Sequence, residues 1–414
     1  MTDRRPFILS LNASLYGHHE ASWRRAGADP ESFAVADFYL ETARLAEQAR
    51  FDIFFLADFL AYDPDGRYQL VWPMEPTAVM SAVARATEHI GLVATGSTTY
   101  NPAPDIAHLF ATLDHVTNGR TGWNIVTSGR PFAAQQFDRE NQVPHAERYR
   151  HAHSYVGEVT DIWERAGRGR AEGFLAPVQG RPLYVQAGSS EDGKEFAARY
   201  GEVLFTAQTT QEQAGAFRKD VRRRARAYGR APDAVRTIPG FAPVLGSTEE
   251  EARRLKDELD DLILPEKMRG YVEGWGFDLS GYDLDDPFPV EMTLDPAFDG
   301  ITSRFEIVRR VAERGEPMTI RQFARHIAGS RGHATHVGTP EQVIAILEDW
   351  FHADVNDGFM IMPSHYPEGF ADFVEQVIPT LQDKGIVQRD YGEGTLRERL
   401  GFEAPFGEEV SAAG

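Results

Sequence analysis

The stretch GRTGWNIVTS (119–128) decides how the rest of the chain is read. Asn118, Gly119 and Arg120 form a turn signal, and Trp123, Ile125 and Val126 then supply the apolar residues of a strand. Asn124 interrupts that run, and Thr127 and Ser128 close it. A buried amide without partners costs roughly 1–3 kcal/mol per unsatisfied group. Either the fold pairs Asn124 internally or a ligand pairs it.

Other short apolar runs recur on both sides of this one. They are FILSLNA (7–13), FDIFFLAD (51–58), IGLVATGSTTY (90–100), PLYVQAG (182–188), EVLFTAQ (202–208), TIPGFAPVLG (237–246) and DGFMIMP (357–363). Several are almost continuously apolar, as strands buried on both faces are. Helical patterns separate them. Tyr149, Ala152, Val156, Val159 and Trp163 recur at steps of three and four and predict a helix over 145–163. Thr339 and Pro340 are a helix cap and first-turn proline for 340–351, with Val343, Leu347, Trp350 and Phe351 on its apolar face. Eight strands alternating with helices predict an α/β fold, a (β/α)8 TIM barrel, over a single domain spanning 1–414. Residues 247–335, between strands 7 and 8, are too many for one helix and rich in charge, Gly, Asp and Pro. They read as an insertion at the active-site end of the barrel, either a lid over the mouth or a structural excursion or subunit contact.

The composition narrows the function classes. The chain has 414 residues, 42% of them hydrophobic and 26% charged, which is ordinary for a globular protein. It has no cysteine, which excludes disulfides, thiolate metal sites and a cysteine nucleophile and fits a cytoplasmic protein. The formal charge of −20 argues against a nucleic-acid partner. No apolar run is long enough to span a bilayer, so no membrane association is expected, and the N-terminus lacks a signal-peptide pattern.

Barrels of this kind bind ligands at the C-terminal ends of their strands. Asp58, Thr95, Ser97, Thr99, Asn124, Thr127 and Ser128 stand at such ends. Singly, each fits a turn or cap residue; together, small hydroxyls and amides suit the hydrogen-bonding edge of a flat heterocycle. His145 and Tyr149 share one helical face, either as a pair aimed into the pocket or as a surface histidine and a core tyrosine. In QAGSSEDGKEFAARYG (186–201), Gly188, Ser189 and Ser190 lie where a helix N-terminus holds phosphate, although Ser190 equally fits an ordinary cap. His18 and His19 follow the first strand without a metal-binding spacing, so no metal is expected. Phe59, Tyr62, Tyr68, Trp72 and Trp275 form an aromatic supply near the mouth that suits an apolar or aromatic compound, or else the core.

These segments together resemble the bacterial luciferase-like flavin monooxygenases, and within them the nitrilotriacetate monooxygenase component A, dibenzothiophene-sulfone monooxygenase and pristinamycin IIA synthase subfamily. GHHEASWRR, FDIFFLAD, ATGSTTYNPA, FATLDHVTNGRTGWNIVTS, QAGSSEDGKEFAAR, VGTPEQV, DGFMIMP and YGEGTLRERLGF carry the resemblance in order along nearly the whole chain. It implies a two-component enzyme that takes reduced FMN from a separate flavin reductase using NADH or NADPH. With O2 the flavin would form a peroxide that oxygenates a small organic substrate. It implies that Asp58, Thr95, Ser97 and Asn124 contact the flavin ring. His145 and Tyr149 would approach the ribityl chain and phosphate, and Gly188, Ser189 and Ser190 the phosphate. His18 or His19 would act as the catalytic proton donor or stabiliser. A homodimer or homotetramer is implied as well.

The chain departs from the family at three places. His108 stands where relatives carry arginine, AQQFD (134–138) replaces ARNFG, and the segment between Trp163 and the fifth strand is short, with AEGFLAPVQGRP (171–182) where a hairpin is usual. The competing readings are an F420-dependent oxidoreductase of the same superfamily and a non-catalytic flavin-binding protein.

Overall fold

The computed structural model describes residues 5–25, 35–58, 60, 74–129, 133–134, 136–137, 142–170, 173–273, 277–294 and 318–406. Phe59, Tyr62, Tyr68, Trp72 and Trp275 lie outside them, as do Gln135 and Asp138 of the AQQFD segment.

The apolar runs form a closed parallel barrel. β1 (Ile8–Asn12), β2 (Ile53–Leu56), β3 (Gly91–Ser97), β4 (Thr121–Val126), β5 (Leu183–Gln186) and β6 (Val203–Thr206) lie side by side in chain order. β7 (Arg236–Leu245) joins β6; β8 (Ala334–Gly338) and β9 (Gly358–Ile361) both pair with β7, and β9 returns to β1 to close the ring. β7 has ten residues because it serves three neighbours: 236–239 pair with β6, 240–241 with β9 and 241–245 with β8. β8 is therefore a ninth strand outside the ring, within and just beyond the segment read as an insertion. Its sequence, ATHVG, is only partly buried, so it carries no apolar run.

Among the described residues, an α-helix lies between each of the first six strands and the next: α1 (Val35–Gln48), α2 (Pro76–Ala84), α3 (Ala103–Val116), α4 (His145–Gly167), α5 (Glu191–Tyr200) and α6 (Gln211–Ala227). α7 (Glu249–Asp261), α8 (Pro265–Glu273) and α9 (Ile320–Ser330) lie between β7 and β8. α10 (Pro340–Ala353) precedes β9, and α11 (Glu368–Gln376), α12 (Ile378–Asp383) and α13 (Leu396–Arg399) follow it. The Thr339 cap of α10 closes as a full capping box with Gln342. None of the helices among the described residues is long and apolar enough to cross a membrane.

The residues of the opening stretch divide by position. Asn118 and Gly119 both have positive φ (54° and 78°), and a Cβ on Gly119 would come within 2.8 Å of Thr395 Cγ2. Arg120 is buried and donates to the carbonyls of Thr117, Ile90, Ala84 and Thr87 and to the Thr87 hydroxyl. It ties loops together at the N-terminal end of the barrel. Trp123 points outward against Phe110 and Trp163, with Nε1 donating to Gly96 O at 3.0 Å. Strand alternation then turns Asn124 inward beside its register partner Thr95.

Two apolar layers hold the barrel. Trp123, Trp163, Tyr184 and Phe110 fill the space between strands and helices, while Val93, Val185, Ile238 and Met360 fill the interior. Leu396, Leu400 and Phe402 join the interior cluster from the C-terminal segment and plug its lower end. The segments between β7 and β8 build a core of their own, in which Met268, Phe277, Phe288, Phe323 and Ile327 pack around Ala21 of the loop after β1.

Candidate active site

The strand-end polar residues assemble at the C-terminal mouth, linked by hydrogen bonds. Asn124 is 3% exposed. Its Nδ2 donates to Thr95 Oγ1 at 2.9 Å, and Thr95 Oγ1 donates in turn to Leu56 O at 2.9 Å. Asn124 Oδ1 is buried and accepts no hydrogen bond from the described residues. The amide's donor half is thus paired by the fold and its acceptor half is left over. Beside it, Ser128 Oγ donates to Ser97 Oγ at 2.8 Å, and Thr99 Oγ1 donates to Thr127 O at 2.8 Å. Ser128 sits at φ +46°, held there by this contact and by Gln142 Nε2, which donates to its carbonyl at 2.5 Å. Asp58 accepts from Leu60 N–H at 3.1 Å, which turns the chain back at the end of β2.

A second group lies where α4 and α5 begin. The Tyr149 hydroxyl is hydrogen-bonded to the side chains of Ser190 and Thr127, and burial raises its pKa above the ordinary phenol value. Thr127 therefore bridges the strand-end group and the helix-end group. His145 packs on Tyr149 with ring centroids 4.9 Å apart, and its Nε2 lies 3.4 Å from Asp192 Oδ2. Ser190 caps α5, accepting from Gly193 N–H at 3.1 Å. Gly188 is required by space: a Cβ there would come within 2.2 Å of Gln186 Nε2 and 3.0 Å of Tyr149 Oη. Gln186 Oε1 is another buried acceptor without a partner among the described residues. The α5 N-terminus carries Glu191 and Asp192, which by themselves would repel an anion. Glu191 is drawn aside by Lys194 and Arg224, at 2.7 and 2.5 Å, and hydrogen bonds from both hold its pKa below the ordinary carboxylate value.

The two histidines after β1 differ in what they touch. Both are buried. His19 Nδ1 accepts from Ala21 N–H at 3.1 Å, so its proton is on Nε2, which donates to Asp260 Oδ1 of α7 at 3.0 Å. Asp260 is also held by Lys256 at 2.6 Å. Both nitrogens of His19 are thereby committed to tying the first loop to the insertion. His18 Nε2 lies 3.2 Å from the Ser330 carbonyl, which fixes its proton on Nε2 and makes Nδ1 the acceptor atom of the neutral ring.

His18 also stands edge-on to His333 at 6.0 Å, His333 stacks on Phe205 at 4.9 Å, and Phe205 faces Phe55 at 6.3 Å. These rings cross the mouth above Met362 and give it an apolar floor. A Cβ on Gly240 would strike His333 Nδ1 and Met362 Sδ, so β7 needs glycine there. His333, Gln142, Gln186 and the bridging role of Thr127 do not stand out in the sequence as site residues. For His333 the available signal was its position just before the polar strand β8; the others carried none beyond lying at element ends. Of the departures from the family, His108 packs edge-on against Phe174 at 5.5 Å.

A family model described as luciferase-like monooxygenase matches residues 16–357. The chain is 39% identical to N-acetyl-S-(2-succino)cysteine monooxygenase of Bacillus subtilis (strain 168), covering 98% of this chain and 99% of that protein. It is 36% identical to nitrilotriacetate monooxygenase component A of Aminobacter aminovorans, over 96% of each. Among solved structures, a riboflavin lyase with modified FMN and substrate riboflavin superposes with a TM-score of 0.83 at 29% identity, covering 99% of this chain and 98% of that one.

Proposed function

The chain belongs to the luciferase-like monooxygenase family, and on that premise we propose that the cradle at the barrel mouth holds reduced FMN while O2 oxygenates a small organic substrate. The chain is a flavin-dependent monooxygenase in the manner of its relatives, which leaves the F420 reading no better supported and the non-catalytic reading without a feature in its favour. One observation carries the assignment of the cradle. Asn124 Oδ1 is a buried acceptor with no partner among the described residues, set beside hydroxyls already satisfied among themselves. An N–H on the polar edge of a flavin ring supplies what it lacks. Thr95 orients Asn124, while Ser97 and Asp58 shape the loops around the ring. At the other end, Tyr149, Ser190, Ser189 and the backbone of Gly188 receive the phosphate at the α5 N-terminus, with His145 beside them.

Bound reduced flavin supplies the electrons and the oxygen chemistry. The chain's own residues bind it, orient it and keep water away. Phe55, Phe205 and Met362 make the floor dry. His18 is proposed to hold or pass a proton at Nδ1, and His19 to anchor the loop that carries it. The insertion, fastened to that loop by His19–Asp260 and by packing on Ala21, is proposed to act as a lid over the mouth. A separate NAD(P)H-dependent flavin reductase is proposed to supply reduced FMN, and a cytoplasmic location and a homodimer or homotetramer assembly are proposed with it. The two relatives are named for small carboxylated compounds built on sulfur or nitrogen. A carboxylated thioether or tertiary amine is therefore the substrate class to test first.

The test mixes the protein anaerobically with reduced FMN and then admits O2. The expected result is a delayed return of oxidised-flavin absorbance relative to free flavin, and one atom of 18O from 18O2 in the product when a substrate is present. Reoxidation at the free-flavin rate, with preferential binding of reduced F420, would sink the reading.

A further inference from the structure

The turn Ser330-Arg331-Gly332-His333 leads from α9 of the insertion into β8. It carries two groups of the mouth. The Ser330 carbonyl accepts from His18 Nε2 at 3.2 Å and from the His333 N–H at 2.9 Å, and the His333 ring stacks on Phe205. Where this turn sits therefore decides how His18 is held.

Arg331 is an unusual residue for the place. It ends α9 in the left-handed region, at φ +50°, where glycine or asparagine is the common choice because a Cβ is strained there. Its side chain accounts for the choice. Arg331 Nε lies 2.7 Å from Glu20 Oε1, and both side chains are largely buried. Glu20 stands two residues after His18, and its N–H donates to Ala328 O at 2.9 Å. On the barrel side, the His18 and His19 N–H groups donate to Pro363 O and Ser364 O, at 2.8 and 3.1 Å. The loop after β1 is thus a strap. The backbone of His18 and His19 is bonded to the end of β9, and the side chains of His18, His19 and Glu20 are bonded to the insertion. The Glu20–Arg331 pair fixes the separation of strap and turn, on which the bond from His18 Nε2 to Ser330 O depends.

We propose that Glu20 and Arg331 are positioning residues for the reaction. Their ion pair clamps the α9 turn onto the loop after β1 and so keeps His18 in one orientation, with its proton on Nε2. The proposal rests on the reading of the mouth as a flavin-dependent active site in which His18 acts.

The test compares the full-length wild type with Glu20→Gln/Arg331→Gly and with Arg331→Lys. The double variant removes both charges and the strained Cβ together, so it leaves no unpaired buried charge and should melt within about 3 °C of wild type. In the ligand-free double variant, amide hydrogens of 16–20 and 327–333 should exchange about tenfold faster or more, as local opening at the seam becomes easier. Its affinity for reduced FMN should stay within about twofold, because the cradle lies on other strands. When O2 is admitted to the anaerobic complex, the delay in flavin reoxidation should shorten about ten- to a hundredfold, the effect of a misplaced group at the reacting centre. Arg331→Lys can still reach Glu20 and should keep more than half of the wild-type delay. The proposal is overturned if the delay survives in the double variant, if it is lost without faster exchange at the seam, if FMN affinity is lost with it, or if Arg331→Lys loses as much. Reoxidation of the wild type itself at the free-flavin rate is the separate failure of the flavin reading, and it removes the reaction that the clamp would serve.

Discussion

Replacing Asn124 by leucine separates an amide kept for a ligand from one kept for the fold. Among the described residues, the Asn124 side chain makes a single hydrogen bond, Nδ2 to Thr95 Oγ1 at 2.9 Å, and leaves Oδ1 buried without a donor. A neutral hydrogen bond contributes about 0.5–1.5 kcal/mol net, and an unsatisfied buried acceptor costs about 1–3 kcal/mol. Thr95 keeps its own donation to Leu56 O in the variant, so no new donor is orphaned. Leucine has the same branching at Cγ and removes both terms. The ligand-free variant should therefore hold its stability or gain up to about 2 kcal/mol. Binding goes the other way. The ligand N–H that faced Oδ1 is left buried and unpaired, a loss of about 1–3 kcal/mol, or roughly 5- to 150-fold in Kd. Urea unfolding gives the first number, and anaerobic titration with reduced FMN gives the second. A variant that loses more than about 2 kcal/mol in stability while its FMN affinity stays within twofold would show that Asn124 serves the fold, and the assignment of the cradle would fail.

Three further substitutions test other parts of the structure. Gly188→Ala places a Cβ 2.2 Å from Gln186 Nε2 and 3.0 Å from Tyr149 Oη; it should weaken FMN about tenfold or more but leave riboflavin, which lacks the phosphate, nearly unchanged in parallel titrations. An equal loss for both flavins would remove the phosphate from that position. Buried Glu202 accepts from Arg181 (2.9 and 2.9 Å), Arg397 (2.5 and 3.1 Å) and Tyr184 N–H (2.8 Å), and these arginines hold its pKa well below the usual carboxylate range. Glu202→Gln should cost about 3–5 kcal/mol near neutral pH by unfolding titration. Because its folded pKa is depressed, wild type loses this contribution as pH falls below about 4, and the gap between the two proteins narrows there. Asp52 has the opposite sign. Burial raises it to about 7, so the folded state keeps a proton that the unfolded chain releases from about pH 4, and its contribution declines as pH rises between those values. Asp52→Asn should therefore be more stable than wild type at pH 8, by up to about 4 kcal/mol, and no more stable at pH 4, where it only loses one of the acceptors that serve Leu9 and Gln388.

The barrel was legible because strands covered on both faces are largely apolar, and several of the eight runs are almost continuously so. Helix starts were legible where a cap stands beside a first-turn proline, as at Thr339-Pro340. β8 was not, because it hangs on the outer half of β7 with one side open and reads ATHVG. The length of β7 was the only hint that it had a further partner. The partners of the two histidines were also out of reach. Ser330 and Asp260 lie 312 and 241 residues further along the chain, and nothing local in the sequence connects them.

Asn124 posed two alternatives from the outset, internal pairing or a ligand; the fold pairs the donor half, and the proposed flavin would pair the acceptor half. Pairing the donors through Thr95 fixes the side chain in one rotamer with Oδ1 inward. Because Thr95 is itself fixed by Leu56 O, the acceptor cannot swing away to find a partner. A free amide would have rotated to satisfy itself and would then have to be turned back when ligand arrived. Holding it in place means that the cost is carried in the folded state and not incurred at binding, which is how preorganised sites gain affinity without larger contacts. The same reasoning applies to Tyr149, whose hydroxyl is held by Thr127 and Ser190 before any phosphate is present. Thr127 touches both ends of the cradle, through its carbonyl to Thr99 and its side chain to Tyr149. A change at Thr127 should therefore loosen ring and phosphate contacts together, whereas changes at Asn124 or Gly188 should each affect one.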